Sequence, residues 1–319
     1  MGSLAAWRLA SALDTSTTRT HRLTVFGHYQ ARLNQITEAG ITFVSLDGHH
    51  SVCRVDASQF IPGQQEIDVA LVFNKTYQLG RVASELHQAM KPSGLVLCFQ
   101  NGIGSDRLLR EQNPGITIAE GILFEGVTLS KSGEVHHKGT GATWVSLTPD
   151  AEARYGELLS LLRHGGFDLR VQPDINPIQW TKLAANAAIN PLTAITGLKN
   201  KAVAEHSLLR SIASAVAEEA TSVSDQIHIR REGEYFDHIL NVARNTGENT
   251  SSMLRDIQQG RETEVQYING TIVELGKQLG IPTPANQLLL DLVTSYSGSS
   301  VSLETLEKQW LQSVSDDVM

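Results

Sequence analysis

Ile67-Asp68-Val69-Ala70-Leu71-Val72-Phe73 is a nearly unbroken apolar run of strand length, and Gly94-Leu-Val-Leu-Cys-Phe99 repeats the pattern after a helix-like stretch from Gln78 to Met90. A strand wet on one face alternates apolar and polar residues. Runs without alternation belong to strands covered on both faces, and separated by helices they read as a parallel sheet. Upstream, Leu4 to Leu13 has helical character, and Arg22-Leu-Thr-Val-Phe26 is β-rich and ends at Gly27. A helix is expected from Tyr29 to Ala39, stopped by Gly40. Two short strands, Ile41 to Ser45 and Val52 to Val55, flank the turn-like Asp47-Gly48. Downstream, Ile116 to Leu147 breaks into shorter strands punctuated by Gly133, Gly139 and Gly141, which suggests an antiparallel addition at the sheet edge. Beyond Pro173 helical periodicity takes over, at Pro177–Ile195, Leu208–Ile227, Tyr235–Arg244, Ser251–Arg261 and Thr263–Leu279. Pro282 and Pro284 read as a loop before a last helical segment from Gln287. The expected organisation is an α/β domain over residues 1–172 and an all-α domain over 173–319.

Length agrees with two domains, since 319 residues exceed one ordinary core. A chain with 41% hydrophobic and 19% charged residues is globular, and its net charge of −8 argues against nucleic acid and anionic membranes as partners. No apolar run approaches the roughly 20 residues of a membrane span. Leu4-Ala5-Ala6-Trp7 is not preceded by a basic residue and is cut by Arg8, unlike a signal peptide, and Ala6 spoils a myristoylation pattern. Cys53 and Cys98 are far apart in apolar surroundings, so buried thiols in a reducing cytoplasm are expected, with no metal site.

The segment richest in chemistry is Trp180-Thr-Lys-Leu-Ala-Ala-Asn-Ala-Ala-Ile-Asn-Pro-Leu-Thr-Ala-Ile195. Helical spacing puts Lys182, Asn186 and Asn190 on one face among small alanines, an arrangement suited to an oxygen-rich ligand. Taken alone, a solvated polar stripe is the commoner outcome. Pro191 removes the helical donor for the carbonyl of Ala187, so a bend is expected. Two further segments follow: Glu248-Asn-Thr-Ser-Ser-Met-Leu-Arg-Asp-Ile257 and Arg261-Glu-Thr-Glu-Val-Gln-Tyr-Ile-Asn-Gly270. In the first half, Asn74-Lys75-Thr-Tyr-Gln78 and Phe99-Gln-Asn101-Gly102-Ile-Gly104 stand at strand ends, where doubly wound sheets bind ligands. On their own, Gly102 and Gly104 are equally well a simple turn, and Asn101 a cap for the following helix.

Together these segments resemble the ketopantoate reductase family over essentially the whole chain to Pro284, in order and at compatible spacing. The resemblance implies a Rossmann-like α/β domain, an all-α C-terminal domain, and NADPH-dependent reduction of 2-dehydropantoate to (R)-pantoate in pantothenate and coenzyme A biosynthesis. It implies that Lys182 is the general acid and that Glu264 holds substrate and lysine in place. Asn186, Asn190, Asn249, Ser252 and Asn101 match substrate-binding residues. Gly2, Lys75, Asn101, His28 and Gln78 match positions at the cofactor. The implied partner is a small 2-oxo acid, and a homodimer is compatible with the long helical faces.

The sequence also departs from the family pattern. Gly2 matches the third glycine of a G-x-G-x-x-G turn, while the first strand and first two glycines have no counterpart. That strand is expected to lie between Leu23–Phe26 and Ile67–Phe73. A start assigned too far downstream is the preferred account, and a truncated, impaired paralogue the alternative. His28 stands where NADP-using members carry arginine, which weakens the grip on a 2′-phosphate. Arg32, one turn on, is read as an exposed helix residue. A reductase of a different small 2-oxo acid is the other competing function.

Overall fold

The computed structural model describes residues 1–15, 21–61, 63, 65–296, 298 and 300–316. They form two units: Met1–Gln100 with Gly104–Ile175, and Asn101–Ile103 with the chain from Asn176 onward.

In chain order the first unit comprises α1 (Gly2–Thr15), β1 (Thr24–Phe26), α2 (Gln30–Ala39), β2 (Ile41–Val44), β3 (His50–Cys53), β4 (Asp56–Ser58) and β5 (Ile67–Val72). It continues through α3 (Leu79–Ala89), β6 (Met90–Cys98), α4 (Ser105–Gln112), β7 (Thr117–Leu123), β8 (Gly126–Leu129), β9 (Val135–Gly139) and β10 (Ala142–Ser146). It ends with α5 (Pro149–Arg154), α6 (Gly156–His164) and β11 (Asp168–Gln172). The main sheet runs β11-β10-β7-β6-β5, with β5, β6 and β7 mutually parallel. Strand β6 explains the missing alternation. Leu95 and Leu97 pack on one face with Ala5 and Leu9 of α1 and Leu159 and Leu162 of α6. Val96 and Cys98 face the other way, onto Leu79, Val82, Ala83 and Leu86 of α3 and Leu109 of α4. Every second residue thus meets a different helical layer, and apolar residues are needed at all of them.

Helix α1 is apolar on a second side too. Leu4 and Ala6 join Ile36, Ile41, Phe43 and Val135, and the Trp7 ring stacks on Phe43 with centroids 4.0 Å apart. Arg8 anchors the same helix by donating to Glu125 Oε1 at 2.7 Å, while His137 Nε2 meets Glu125 Oε2 at 2.6 Å.

Several sequence expectations need correction here. The region 116–147 does not build one antiparallel edge. Strand β7 is central, whereas β8 and β9 form a separate sheet, ordered β3-β2-β9-β8, with β9 parallel to β2. The second expected short strand, Val52 to Val55, overlaps only the end of β3, and a further strand that was not expected, β4, pairs in parallel with β1. Strand β5 is the outer strand of its sheet, and β1 pairs with β4.

The second unit contains α7 (Asn176–Thr196), α8 (Ala202–Glu205), α9 (Ser207–Gln226), α10 (Tyr235–Asn245), α11 (Ser252–Gln258), α12 (Val265–Leu279), α13 (Pro284–Thr294) and α14 (Leu303–Asp316). Helix α7 runs through its core, with Trp180, Leu183, Ala184, Ala187, Ala188 and Leu192 all buried. The last helix expected from Gln287 starts earlier, because Pro284 opens α13 rather than lying in a loop, its fixed φ and missing N–H costing nothing in a first turn. Helix α14 was not expected.

The start of α13 is capped from another helix. Glu219 of α9 accepts the N–H groups of Ala285 at 2.6 Å and Asn286 at 2.9 Å, and the Asn286 amide at 2.7 Å. Glu219→Ala strands these buried donors, so a loss of about 2–3 kcal/mol is expected in urea unfolding, the scale of hydrogen bonds to a charged acceptor. A change below about 0.5 kcal/mol would place the cap in the class of neutral surface contacts.

Candidate active site

Helix α7 presents Lys182, Asn186 and Asn190 one turn apart. Lys182 and Asn186 are half-buried and Asn190 is 6% exposed. The Asn186 and Asn190 amides make no hydrogen bond among the described residues. The polar atoms of both amides are not sealed from solvent, so they can hydrogen-bond an oxygen-rich ligand. Pro191 lies inside α7 without ending it. The carbonyl it orphans, that of Ala187, accepts the Asn269 amide of α12 at 2.9 Å.

Glu264 stands at the N-cap position of α12, 4% exposed, with a side chain that does not cap its own helix. Its carboxylate gains from the positive end of the α12 dipole. Glu264 Oε2 accepts from Asn101 Nδ2 at 3.2 Å. Asn101 therefore does not cap the following helix, whose N-cap residue is Gly104. Burial lowers the Lys182 pKa from 10.5 to about 8, and the Glu264 charge opposes that fall. An ammonium poised this close to neutrality can release its proton readily and be recharged from water.

Asn101–Ile103 belongs by its packing with this helical unit. Gly102, at φ +91°, lies so close to α12 that an added Cβ would stand 2.3 Å from the Tyr267 carbonyl oxygen. Of the adjacent serines, Ser251 is buried as the α11 cap, its Oγ accepting from the Leu254 N–H at 3.1 Å and bonded to Thr193 Oγ1 at 2.7 Å. Ser252 is exposed in the first turn, open to a ligand. Asn249 is exposed in the preceding loop.

In the first unit, Gly2 opens α1 beside the end of β5, where a Cβ would lie 3.5 Å from Phe73 Cβ. Lys75 precedes a single 3-10 turn, Thr76–Gln78, and Gln78 is half-buried. Burial lowers the Met1 α-amine pKa, and the Lys75 charge lowers it further. A helix N-terminus with a lysine alongside forms an electropositive corner that suits a pyrophosphate. His28 follows β1, half-buried, with Nδ1 enclosed and unpartnered. Arg32 is not exposed as expected: its Nη1 donates to the Gly133 carbonyl at 2.7 Å and to Gln35 Oε1 at 2.8 Å. Among the described residues no three His, Cys, Asp or Glu side chains are grouped to hold a metal ion, and no helix is long and apolar enough to cross a membrane.

Sequence reasoning missed Ser251 and Thr193 as a structural pair, the close approach of Gly102, and Asn269. The last had a signal, because the carbonyl orphaned by Pro191 needed a donor from elsewhere.

Comparisons with known proteins agree across both units. Residues 1–150 match the family described as ketopantoate reductase PanE/ApbA, and residues 174–297 match ketopantoate reductase PanE/ApbA C terminal. A 2-dehydropantoate 2-reductase of Archaeoglobus fulgidus is 35% identical over 233 residues, 72% of this chain and 76% of its own. The crystal structure of a PanE/ApbA family ketopantoate reductase from Ralstonia eutropha JMP134 superposes with TM-score 0.81 at 24% identity, covering 96% of this chain and 95% of that one. A D-mandelate dehydrogenase solved with NADH and anilino(oxo)acetate shares the fold, with TM-score 0.80 at 23% identity over 90% of this chain and 94% of that one. With matches over both halves and a relative above 30% identity, this chain belongs to the ketopantoate reductase family.

Proposed function

We propose that this protein is a cytoplasmic NADPH-dependent reductase that converts 2-dehydropantoate to (R)-pantoate, a step in pantothenate and coenzyme A biosynthesis. The observation that carries the reading is Lys182, desolvated to a pKa of about 8 with the charge of Glu264 acting on it. A surface lysine would stay near its ordinary value and would release its proton to a ketone oxygen far less readily.

The dinucleotide would be held by Gly2 at the start of α1, Lys75, Gln78 and Asn101, with His28 toward the ribose phosphate; the electropositive corner and the enclosed, unpartnered His28 nitrogen fit it. Bound reduced nicotinamide supplies the hydride. Lys182 Nζ donates its proton to the ketone oxygen of the 2-oxo acid, and its charge stabilises the alkoxide as it develops. Glu264 keeps Lys182 charged and anchors Asn101. Asn186, Asn190 and Asn249 supply amides to the substrate oxygens, and Ser252 supplies a hydroxyl to the carboxylate.

The test is NADPH oxidation with 2-dehydropantoate, with chiral analysis of the product. Turnover giving (R)-pantoate is expected, with NADPH preferred over NADH. Turnover of other 2-oxo acids but not of 2-dehydropantoate would overturn the substrate assignment. Equal use of NADH would overturn the cofactor assignment.

A further inference from the structure

Pro191 creates a problem that the rest of the helical unit solves. A proline inside a helix cannot donate to the carbonyl four residues back, and in a dry core that carbonyl has no water to turn to. In α7 the carbonyl is that of Ala187, next to Asn186 and midway along the Lys182–Asn186–Asn190 ladder. Asn269 supplies the donor. It is fully buried, and its Nδ2 gives one proton to Ala187 O at 2.9 Å and the other to Asn286 Oδ1 at 3.0 Å. Its own Oδ1 is buried without a partner. The amide thus gives both protons to neighbours and gets nothing back at its oxygen, so the two acceptors alone set its orientation. Asn286 is held in turn by Glu219, which completes a buried polar chain through α7, α12, α13 and α9.

We propose that Asn269 is a positioning residue: by donating to the carbonyl orphaned by Pro191, it fixes the α7 segment bearing Lys182, Asn186 and Asn190 against α12, whose N-cap is Glu264. The inference rests on the functional reading given above. Asn269 lies five residues beyond Glu264, so the bond ties the two helices within about one and a half turns of the acid. Apolar packing resists separation of helices but does not dictate axial register, whereas a directed hydrogen bond to one particular carbonyl does. Glu264 is the charged group acting on Lys182. Of the other buried acids on helices packed against α7, Glu219 is occupied by the start of α13 and Asp256 by Arg261 at 2.7 Å.

The test uses Pro191 itself. Asn269→Leu should fold and reduce kcat for 2-dehydropantoate by about ten- to a hundredfold, the scale of a displaced reacting group, with KM for NADPH unchanged. Pro191→Ala restores a backbone N–H that can reach Ala187 O, so alone it should stay within about twofold of the parent and in combination it should recover most of the lost kcat. A merely structural Asn269 would lower Tm without changing kcat of the folded enzyme, and that result overturns the proposal, as does a double variant no better than Asn269→Leu. If Asn269→Leu fails to fold, the double variant decides: folded and active protein supports the proposal, unfolded protein refutes it. Should the parent fail to turn over 2-dehydropantoate, the functional reading has failed separately. The positioning claim is then decided by the pH dependence of Lys182 labelling with trinitrobenzenesulfonate, followed by peptide mass spectrometry. The labelling midpoint should move in Asn269→Leu and return in the double variant, and an unmoved midpoint overturns the claim.

Discussion

Lys182→Ala is expected to lower kcat for oxo-acid reduction by about 10²–10⁴-fold, the range over which a positioned proton donor contributes. The loss should come without unfolding, and the reason is electrostatic. Burial lowers the Lys182 pKa from 10.5 to about 8, so at neutral pH the folded chain carries a cation in a place that disfavours it. Linkage gives the sign. Below about pH 8 both folded and unfolded chains hold the proton, and the full cost of burying the cation weighs on the fold. Between about 8 and 10.5 the unfolded chain binds more protons, so stability rises with pH through that window. Alanine removes the cost, and its Tm at pH 7 should equal or exceed that of the parent. The same value sets the rate profile. A general acid must be charged, so kcat/KM should be flat below about pH 8 and fall tenfold per unit above it. Glu264→Gln removes the charge that supports the ammonium, and the alkaline limb should shift to lower pH. A limb near the ordinary lysine value, or an alanine variant retaining a tenth of the activity, would remove Lys182 from the chemistry.

How much of this was legible beforehand differs between the two units. Most of the helical unit was readable, α8, α14 and the start of α13 excepted, because its signals are local: period, proline placement and polar residues at four-residue spacing. Lys182, Asn186 and Asn190 could be put on one face from spacing alone. What spacing could not show is which of them is buried, or that a carboxylate from α12 acts on the lysine, since those depend on helix packing. Nor could it separate Ser251 from Ser252, which differ by one position and by whether the hydroxyl closes a cap. In the α/β unit the apolar runs gave β5 and β6, but strand pairing is non-local. Nothing in residues 126–139 announces that β9 joins β2 in parallel rather than the neighbouring β7. The three residues of β4 carry too little pattern to register as a strand.

Gly102→Ala is expected to lose about 2–4 kcal/mol in stability and about a hundredfold in kcat. Two effects combine. The residue holds φ at +91°, where an L side chain costs about 1–2 kcal/mol. The new Cβ would also lie 2.3 Å from the Tyr267 carbonyl oxygen, a backbone atom in the first turn of α12 that cannot rotate away as a side chain would. The segment Asn101–Ile103 must therefore withdraw from α12, and the Asn101–Glu264 hydrogen bond one residue away is stretched or lost. Gly104 provides the control. It has nearly the same φ, +86°, but a Cβ there meets nothing within 4 Å. Gly104→Ala should carry the backbone strain alone, about 1–2 kcal/mol, with kcat close to the parent. The comparison separates conformation from contact, because the two glycines share the first and differ in the second. If both variants lose the same activity, strain in the turn is the whole effect and the close approach to Tyr267 has no bearing on the site. If only Gly102→Ala loses it, the glycine is there because α12 must come within reach of Asn101, and the turn exists to bring them together.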